Sequence, residues 1–449
     1  MKSHSKQKGF QLSHSDQLQE YWHLENQIPG SKYLANRLLI LAALSHVSGE
    51  LKNMPLNDDI KALFEALVAL GYAMNFQGEV LKFEGNQKRK IPQKSVKIDC
   101  GASGTMARFI CAVAALDTFE VEIFGSDRLQ QRPMLPLFEA LIEMGAEVTC
   151  LKQSGCLPVR IKGSIRNPTR TSRISLPGNI SSQYISALLL IGAELPQGLM
   201  IDIQAPIVSA TYIQMTLQLI ELAGVKVIKE DALSRLNVAP SKIMQKSQSL
   251  DADPCSASYV LAAAVLNRKQ LTIKPFHYQP ELQGEYGMID ILREMGAEIQ
   301  VEQGQLYLNP ATELLTSVQR DMGKMPDIVQ TLAVLACFAK GTSRFNNIAH
   351  LKLKESDRIV DTATELQKCG VTVTYGDDWL EISGLDDLQQ LKPSYIDTHH
   401  DHRMAMSLAQ LGWLKNGFSV DVPEVVNKSF PGFWELMRQL GLNLSGKFT

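Results

Sequence analysis

A helix that ends in glycine and runs into a strand recurs six times along the chain, and this repeat limits the folds available to it. A typical copy is PLFEALIEMGAEV, in which an amphipathic helix precedes Gly145 and an alternating segment follows it. The six glycines lie 71 to 79 residues apart, at Gly71, Gly145, Gly224, Gly296, Gly370 and Gly441. Glycine at a helix end readily adopts the left-handed conformation that other residues disfavour. The repeat therefore predicts six similar modules, each with a left-handed helix cap.

A second kind of helix lies upstream of each glycine. These helices are rich in Ala and Leu and nearly apolar on every face, which predicts that they are buried. Their predicted starts are Asn36, Gly104, Ser181, Ser256, Pro326 and Asp401. Helices alternating with short strands predict an α/β protein, and six modules exceed one hydrophobic core. We expect two domains of three modules, residues 1–28 with 251–449 and residues 29–250, with the boundary in the polar stretch 242–254.

The overall charge is nearly balanced, with 45 Lys and Arg against 47 Asp and Glu. A formal charge of −2 gives no bulk attraction to nucleic acid or to anionic lipid. Apolar runs such as 38–44 are far shorter than the about eighteen residues that a membrane-spanning helix needs. The first residues are polar and lack the apolar core of a secretory signal. We therefore expect a cytoplasmic protein without membrane or nucleic-acid partners.

The cysteines and histidines do not predict a disulfide framework or a metal site. Seven cysteines are scattered without a C-x-x-C pair, which is typical of reduced and mostly buried thiols. His399, His400 and His402 form a cluster, but the surrounding residues lack metal-ligand spacing. No bound metal is expected.

The predicted starts of the buried helices carry residues that suit anion binding, such as Gly104 and the pair Ser181 and Ser182. A helix N-terminus offers unpaired N–H groups and partial positive charge. The alternative is that these Ser, Thr and Asp residues are ordinary N-caps. Several cations lie beside the starts and would require anionic partners if buried, namely Lys32, Arg37, Arg108, Arg132 and Arg403. These cations favour a site for phosphate and carboxylate groups.

A charged segment near the C-terminal third adds carboxylates to this pattern. Lys354, Glu355 and Arg358 lie within KESDR, which by itself could be a solvated helix face. Together with Asp327 and Arg403, however, they fall at module junctions where strands lead into buried helices. Carboxylates among cations suit proton transfer on phosphate esters or enols.

Nine segments, taken in order, resemble the 5-enolpyruvylshikimate-3-phosphate synthase family of enolpyruvyl transferases. The resemblance covers the chain from about residue 27 to the C-terminus, and the order of the segments makes it specific. The segments are PGSKYLANR (29–37), SGTMAR (103–108), RLQQRP (128–133), NISSQYISALL (179–189), SASYVLAAA (256–264), PDIVQT (326–331), KESDR (354–358), DHRMAM (401–406) and NKSFPGFW (427–434). The resemblance implies a two-domain fold, an inside-out α/β barrel in which each domain has three βαβαββ units, in agreement with the six modules.

The resemblance also implies a reaction and a set of site residues. The enzyme would transfer the enolpyruvyl group of phosphoenolpyruvate to the 5-hydroxyl of shikimate 3-phosphate, without a metal or organic cofactor. Asp327 would be the base at the hydroxyl, Glu355 the proton donor to the methylene carbon, and Lys32 a catalytic cation. The residues implied for shikimate 3-phosphate are Lys32, Tyr33, Arg37, Ser181, Ser182, Gln183, Ser209, Tyr212, Asp327, His350 and Lys354. Those implied for phosphoenolpyruvate are Lys32, Gly104, Arg132, Gln183, Arg358, Arg403 and Lys428.

The chain departs from the family pattern at several positions. Tyr33 stands where Ser or Thr is usual, and Ala102 and His350 stand where Asn is frequent. Ahead of the segment 256–264, Pro254 and Cys255 stand where Ser is common. These departures leave open a catalytically impaired binding paralogue.

Another enolpyruvyl transferase, the one that acts on UDP-N-acetylglucosamine, is the second alternative, but it should carry a reactive Cys in the loop SDRLQQRP, which has none. Because Gly104 is retained, we expect inhibition by glyphosate. Ligands on both domains predict closure on binding, and the family implies a monomer.

Overall fold

The computed structural model describes residues 9–14, 19–166, 172–230, 233–310 and 315–446. These residues contain thirteen α-helices: Lys32–Leu44 (α1), Asp58–Ala69 (α2), Gly104–Ala114 (α3), Asp127–Gln130 (α4), Leu135–Glu143 (α5), Ser182–Gly192 (α6), Ala210–Leu222 (α7), Pro254–Leu266 (α8), Met288–Glu294 (α9), Val329–Ala336 (α10), Arg358–Lys368 (α11), His402–Leu408 (α12) and Phe433–Leu440 (α13). Among the helices of this part of the chain, none combines the length and the apolar character that a bilayer-spanning helix requires.

The strands are short, mostly of two to six residues. In chain order they are Gly9–His14 (β1), Tyr21–Glu25 (β2), Gly49–Lys52 (β3), Met74–Gln77 (β4), Val80–Phe83 (β5), Val96–Asp99 (β6), Val121–Phe124 (β7), Glu147–Cys150 (β8), Val159–Lys162 (β9), Arg173–Pro177 (β10), Leu199–Gln204 (β11), Val227–Glu230 (β12), Arg235–Val238 (β13), Gln248–Ser249 (β14), Gln270–Lys274 (β15), Glu298–Glu302 (β16), Gln305–Asn309 (β17), Leu315–Thr316 (β18), Gln319–Asp321 (β19), Ala339–Lys340 (β20), Thr342–Asn346 (β21), Thr372–Tyr375 (β22), Trp379–Ser383 (β23), Tyr395–Ile396 (β24), Phe418–Asp421 (β25) and Leu442–Ser445 (β26).

The chain divides into two compact units. Unit 1 consists of Met1–Ser31, Asp251–Pro280 and Gly284–Thr449. Unit 2 consists of Lys32–Leu250 and Glu281–Gln283. Unit 2 is therefore almost continuous in sequence, whereas unit 1 is assembled from segments on either side of it.

Each unit contains three four-stranded sheets with one common strand order, within the described residues. In the module that contains α6 and α7, β10 pairs parallel with β11, and β11 pairs antiparallel with β13. The hairpin of β12 and β13 completes the sheet, so the module runs β-α-β-α-β-β. The sheets of unit 2 are β14-β3-β5-β4, β6-β7-β9-β8 and β10-β11-β13-β12. Those of unit 1 are β16-β17-β15-β2, β19-β21-β23-β22 and β24-β25-β1-β26.

Three of these sheets take one strand from a distant part of the sequence. β14 pairs with β3 about 200 residues upstream and supplies the first strand of that module. β2 does the same for the module of α8 by pairing parallel with β15. β1 lies between β25 and β26 and is antiparallel to both, so the N-terminal strand completes the C-terminal module.

The six helix-ending glycines behave as the repeat predicts. All six have a positive φ, between 85° and 110°, and the hydrogen bonds from Tyr72, Ala146 and Ala297 to carbonyls five residues earlier are those of a helix closed by a left-handed residue. The prediction of six modules with left-handed caps is confirmed.

The apolar helices α1, α3 and α6 of unit 2 and α8, α10 and α12 of unit 1 are buried, as predicted. In α8 every residue from Pro254 to Val265 is buried. Three predicted starts were wrong by a few residues; one of them is Pro326, which opens a short 3-10 turn, so that α10 itself begins at Val329. α8 begins at Pro254 because Asp253 caps it and proline suits the first helical position, and α1 begins at Lys32, four residues before Asn36.

Candidate active site

The buried helices of unit 2 place their N-terminal turns side by side. Gln183, the second residue of α6, donates a hydrogen bond from Nε2 to Oγ1 of Thr105, the second residue of α3, at 3.0 Å. One turn further along, Arg37 of α1 donates from Nη2 to Oγ of Ser186 in α6 at 3.3 Å. The first turns of α1, α3 and α6 therefore lie at the same end of unit 2, where their free N–H groups favour anions.

Arg37 is a buried cation whose hydrogen-bond partners are neutral oxygens. Its Nε donates to Thr216 Oγ1 at 2.7 Å, and its Nη atoms donate to the carbonyls of Tyr33 and Tyr212 at 2.9 and 3.1 Å. Burial lowers the pKa of Arg37 to about 10. The guanidinium thus links α1 to α7 and places a positive charge next to the first turn of α1.

Two further arginines, Arg108 and Arg132, lie on either side of Gly104 at the first turn of α3. A Cβ on Gly104 would lie 2.5 Å from Nη1 of Arg108 and 2.6 Å from Nη1 of Arg132. Arg108 donates to the carbonyls of Gly104 and Pro133 at 2.9 and 3.1 Å. Burial, and then the charge of Arg132, lower the pKa of Arg108 to about 10. Two guanidinium groups held this close create a local excess of positive charge, which an anion would relieve.

Four further predicted residues of unit 2 lie at the starts of α1 and α7. Nζ of Lys32 is 3.7 Å from Oδ2 of Asp59 and 5.7 Å from the centre of the Tyr33 ring. The rings of Tyr33 and Tyr212 are in contact, with centroids 5.1 Å apart. The larger residue at position 33 is thus packed against α7 beside Ser209, which has a left-handed φ of 52°.

The start of α6 carries an acceptor that no described group satisfies. Ser181 caps the helix by accepting from the backbone N–H of Gln183 at 3.3 Å, and Ser182 is buried beside it. Oε1 of Gln183 is buried and has no hydrogen-bond partner among the described residues. Because buried acceptors are nearly always paired, this oxygen suits a hydroxyl or N–H of a ligand.

In unit 1, Arg358 lies at the centre of a charged cluster. Its Nε donates to Asp401 Oδ2 at 2.7 Å, and its Nη atoms donate to Asp327 Oδ1 at 2.8 Å and Glu355 Oε2 at 2.9 Å. The side chain is 2% exposed. Burial alone would lower the pKa of Arg358, but the three carboxylates outweigh it and raise the pKa above its ordinary value.

Two of these carboxylates have further cationic neighbours. Asp327 Oδ2 is 3.3 Å from Nη2 of Arg403, and Oδ1 is 3.8 Å from Nζ of Lys354. Glu355 accepts a hydrogen bond of 2.6 Å at Oε1 from Nζ of Lys428. Arg403 is fixed by its own hydrogen bonds, from Nη1 to the Asp327 carbonyl at 2.8 Å and to the Tyr259 hydroxyl at 3.2 Å. The cluster therefore holds three carboxylates, those of Asp327, Glu355 and Asp401, within one network of four cations.

His350 lies next to this cluster in a neutral state. Burial, and then the charge of Lys354, lower the pKa of His350 to about 4. Its Nε2 is buried and has no hydrogen-bond partner within the described ranges. An uncharged imidazole with an unused ring nitrogen can bind a hydroxyl group.

The residues that sequence reasoning did not assign are partners of the assigned ones. Asp401 is fully buried, caps α12 by accepting from the N–H of Arg403 at 2.8 Å, and pairs with Arg358. Its position just before an apolar helix signals the cap, but the pairing joins residues 43 positions apart and leaves no local signal. In the described part of the chain, no group of three or more His, Cys, Asp or Glu is arranged to hold a metal ion.

The arrangement of six modules in two units has counterparts among solved structures. Two solved structures of EPSP synthase from Acinetobacter baumannii share the fold, with a TM-score of 0.79 over 98% of this chain and 100% of theirs, at 22% and 21% sequence identity. The predicted fold class is confirmed by this likeness.

Sequence comparison identifies the family. The family model EPSP synthase (3-phosphoshikimate 1-carboxyvinyltransferase) matches residues 23–437. A 3-phosphoshikimate 1-carboxyvinyltransferase of Shewanella pealeana is 33% identical over 92% of this chain and 96% of its own length. One of Syntrophobacter fumaroxidans is 34% identical with the same coverage. The chain belongs to the EPSP synthase family, and the predicted resemblance is confirmed.

Proposed function

We propose that this protein transfers the enolpyruvyl group of phosphoenolpyruvate to the 5-hydroxyl of shikimate 3-phosphate and releases inorganic phosphate, a step of aromatic amino-acid biosynthesis. The observation that carries the proposal is the cluster of unit 1, in which Asp327 and Glu355 are both held by Arg358 at 2.8 and 2.9 Å. Two carboxylates within one cationic network supply an acid and a base beside groups that bind phosphate.

The proposed reaction has two stages. The 5-hydroxyl oxygen attacks C2 of phosphoenolpyruvate as Asp327 accepts the hydroxyl proton and Glu355 gives a proton to C3. The tetrahedral product then loses phosphate from C2 while the Glu355 carboxylate takes a proton back from C3, which restores the carbon–carbon double bond. Lys428 and Arg358 hold Glu355 in the free protein at 2.6 and 2.9 Å, and both turn to the anionic substrate when it binds.

The substrate contacts follow the two sets of cations. Bidentate arginines suit the carboxylate and the phosphate of phosphoenolpyruvate. The proposed ligands of phosphoenolpyruvate are Lys32, Gly104, Arg132, Gln183, Arg358, Arg403 and Lys428. Those of shikimate 3-phosphate are Lys32, Tyr33, Arg37, Ser181, Ser182, Gln183, Ser209, Tyr212, Asp327, His350 and Lys354. The unused Oε1 of Gln183 and Nε2 of His350 support contacts with hydroxyl groups.

Phosphate release from the two substrates tests the proposal. The wild type should release phosphate, and Asp327→Asn and Glu355→Gln should each lower kcat by about 10²- to 10⁴-fold, since each removes a proton-transfer group. Glu435→Gln is the matched control, because Glu435 is 60% exposed and pairs with Arg438 on the surface. Full turnover in both active-site variants would refute the assigned roles.

The same assay separates the alternatives. UDP-N-acetylglucosamine in place of shikimate 3-phosphate should give no phosphate release, because the loop from Ser126 to Pro133 lacks a cysteine. A binding paralogue would bind phosphoenolpyruvate and release no phosphate.

We further propose that the protein is a monomer that acts in the cytoplasm. Its chain mass is 49.8 kDa, and a molar mass of twice that value, measured by light scattering of the purified protein, would contradict the monomer.

A further inference from the structure

The turn that leads into α12 has an unusual backbone. His399 and His400 have φ values of 50° and 54°, so two consecutive residues other than glycine are left-handed. Such residues persist where surrounding contacts hold them, and they concentrate at functional sites. Asp401 and Arg403, which belong to the charged cluster, follow this turn directly.

His399 is the side chain that attaches this turn to α11. Its Nε2 is 3.0 Å from Oε1 of Glu365, and its Nδ1 is 3.5 Å from Oδ1 of Asp361. Both carboxylates belong to α11, and Glu365 is 1% exposed. The backbone N–H of Asp397 donates to the other oxygen of Glu365 at 3.2 Å, so both ends of the turn contact the same buried carboxylate.

Other charged groups around the turn complete this attachment. Lys368 of α11 donates to Oε1 of Glu365 at 2.6 Å, and Asp421 at the end of β25 accepts from the N–H of Thr398 at 2.8 Å. Asp397 accepts from the N–H of His399 at 2.7 Å. The His399 ring thus contacts two carboxylates of α11, while Asp397 and Asp421 hold the backbone of the turn.

The attachment connects the same two elements as the proposed site. α11 begins at Arg358, and the turn ends at Asp401, which pairs with Arg358 at 2.7 Å. The contacts of His399 with Asp361 and Glu365 therefore fix the distance between α11 and the turn about one and two helical turns away from the Arg358–Asp401 pair.

We propose that His399 is a positioning residue, which holds the left-handed turn against α11 so that Asp401 orients Arg358 and Arg403 toward phosphoenolpyruvate. The inference rests on the proposed function, because both arginines are assigned to that substrate. His399 itself touches no substrate; its effect passes through Asp401.

Steady-state kinetics of three variants test the inference. His399→Ala should raise KM for phosphoenolpyruvate about tenfold, since small displacements of positioning groups carry large kinetic costs, with a smaller change in KM for shikimate 3-phosphate. His399→Gln retains a donor for Glu365 and should recover part of the loss. His400→Ala is the matched control, because His400 has the same backbone conformation and is exposed. Equal constants for the two alanine variants would overturn the inference while leaving the proposed function intact.

Hydrogen exchange gives a readout that does not require turnover. The peptide covering 397–406 should exchange faster in His399→Ala than in wild type and His400→Ala, because the N–H of Arg403 bonds to Asp401. Exchange equal to that of the control would overturn the inference even if the wild type proves inactive, an outcome that would separately refute the proposed function.

Discussion

Buried arginines occur in two different environments in this protein. Arg37 and Arg108 donate to neutral oxygens, and burial lowers the pKa of each to about 10. Arg358 is equally buried but contacts three carboxylates, which raise its pKa. A buried cation without a carboxylate partner favours an incoming anion, whereas a paired cation offsets the cost of burying acids. Unit 2 is thus equipped mainly to attract anions, and unit 1 also carries the acids that can transfer protons.

The crowding at Gly104 predicts the effect of adding one methyl group. In Gly104→Ala the new Cβ would lie within 2.6 Å of guanidinium nitrogens of Arg108 and Arg132, so one of them must move. We expect KM for phosphoenolpyruvate to rise about tenfold or more, since small displacements of binding groups have large kinetic effects. Inhibition by glyphosate should weaken as well, because we expect it to occupy the phosphoenolpyruvate site.

Gly432→Ala is the control for this substitution. Gly432 has an ordinary φ of −79° and its added Cβ would meet no atom closer than 3.8 Å. Glyphosate sensitivity that is the same in Gly104→Ala as in wild type would contradict the placement of the inhibitor beside the two arginines.

His350 predicts a pH dependence of stability. Its pKa is about 4 in the folded protein against an ordinary value of 6.5. Between these values the unfolded chain binds a proton that the folded protein does not, so stability should fall as the pH drops from about 6.5 to 4. Lys354 and Arg358 oppose protonation, whereas Asp327 and Asp378 favour it. At about 1.4 kcal/mol per pKa unit, the loss is roughly 3 kcal/mol.

Urea denaturation of wild type and His350→Gln at pH 7 and pH 4.5 checks this value. The difference in free energy of unfolding between wild type and His350→Gln should be smaller at pH 4.5 than at pH 7. The wild type loses stability as the pH falls, whereas the glutamine of the variant does not titrate. His400→Gln, at an exposed position, should show no such trend. A stability difference for His350→Gln that is the same at both pH values would disprove the prediction.

At the scale of elements, β1 predicts that residues far from any candidate site control stability. Phe10 in β1 is 1% exposed and its ring meets that of Trp434 edge to face, with centroids 5.4 Å apart. Phe10→Ala should lower the free energy of unfolding by roughly 3–5 kcal/mol, because it leaves a cavity in the last module. Gln11→Ala, on the exposed face of the same strand, should change it by less than about 0.5 kcal/mol.

Chemical denaturation of the two variants tests whether β1 contributes to the core of unit 1 or is a dispensable N-terminal segment. If Phe10→Ala unfolds at the same urea concentration as Gln11→Ala, β1 does not contribute to the core of unit 1.

The elements also show which parts of the structure a sequence reveals. The six helix and glycine units could be predicted because helical periodicity and a left-handed cap depend on residues close in sequence. The position of β1 in the sheet could not be predicted from the sequence. Its partner strands begin more than 400 residues later, and its own alternating pattern is only six residues long.

The same distinction applies to the site. The sequence predicts Arg358 and Glu355 as site residues because they lie in one short segment, whereas the pair of Glu355 with Lys428 spans 73 residues and becomes visible only in the fold. The positions of such partners are set by packing between modules, which local residue patterns do not encode.

At the scale of the whole molecule, the two units predict different behaviour of fragments. The fragment 32–250 contains all three sheets of unit 2, including β14. It should fold alone and unfold cooperatively, as a domain with its own core does. The fragment 251–449 lacks β1 and β2, so two of its three sheets are incomplete and it should not fold alone.

Circular dichroism and denaturation of both purified fragments check this difference. Joining residues 1–31 to the start of 251–449 through a flexible linker should restore a cooperative transition. Cooperative unfolding of 251–449 by itself would contradict the role given to the two N-terminal strands.

The place of β1 between β25 and β26 also has a consequence for biosynthesis. His14 pairs with Leu442 and Gln11 pairs with Ser445, so β1 leaves the ribosome long before the strands that flank it have been made. During that time Phe10 and Leu12, both buried in the finished protein, remain available to chaperones and to other nascent chains. Unit 2 can form while synthesis continues, whereas unit 1 can close only after β25 and β26 have been made.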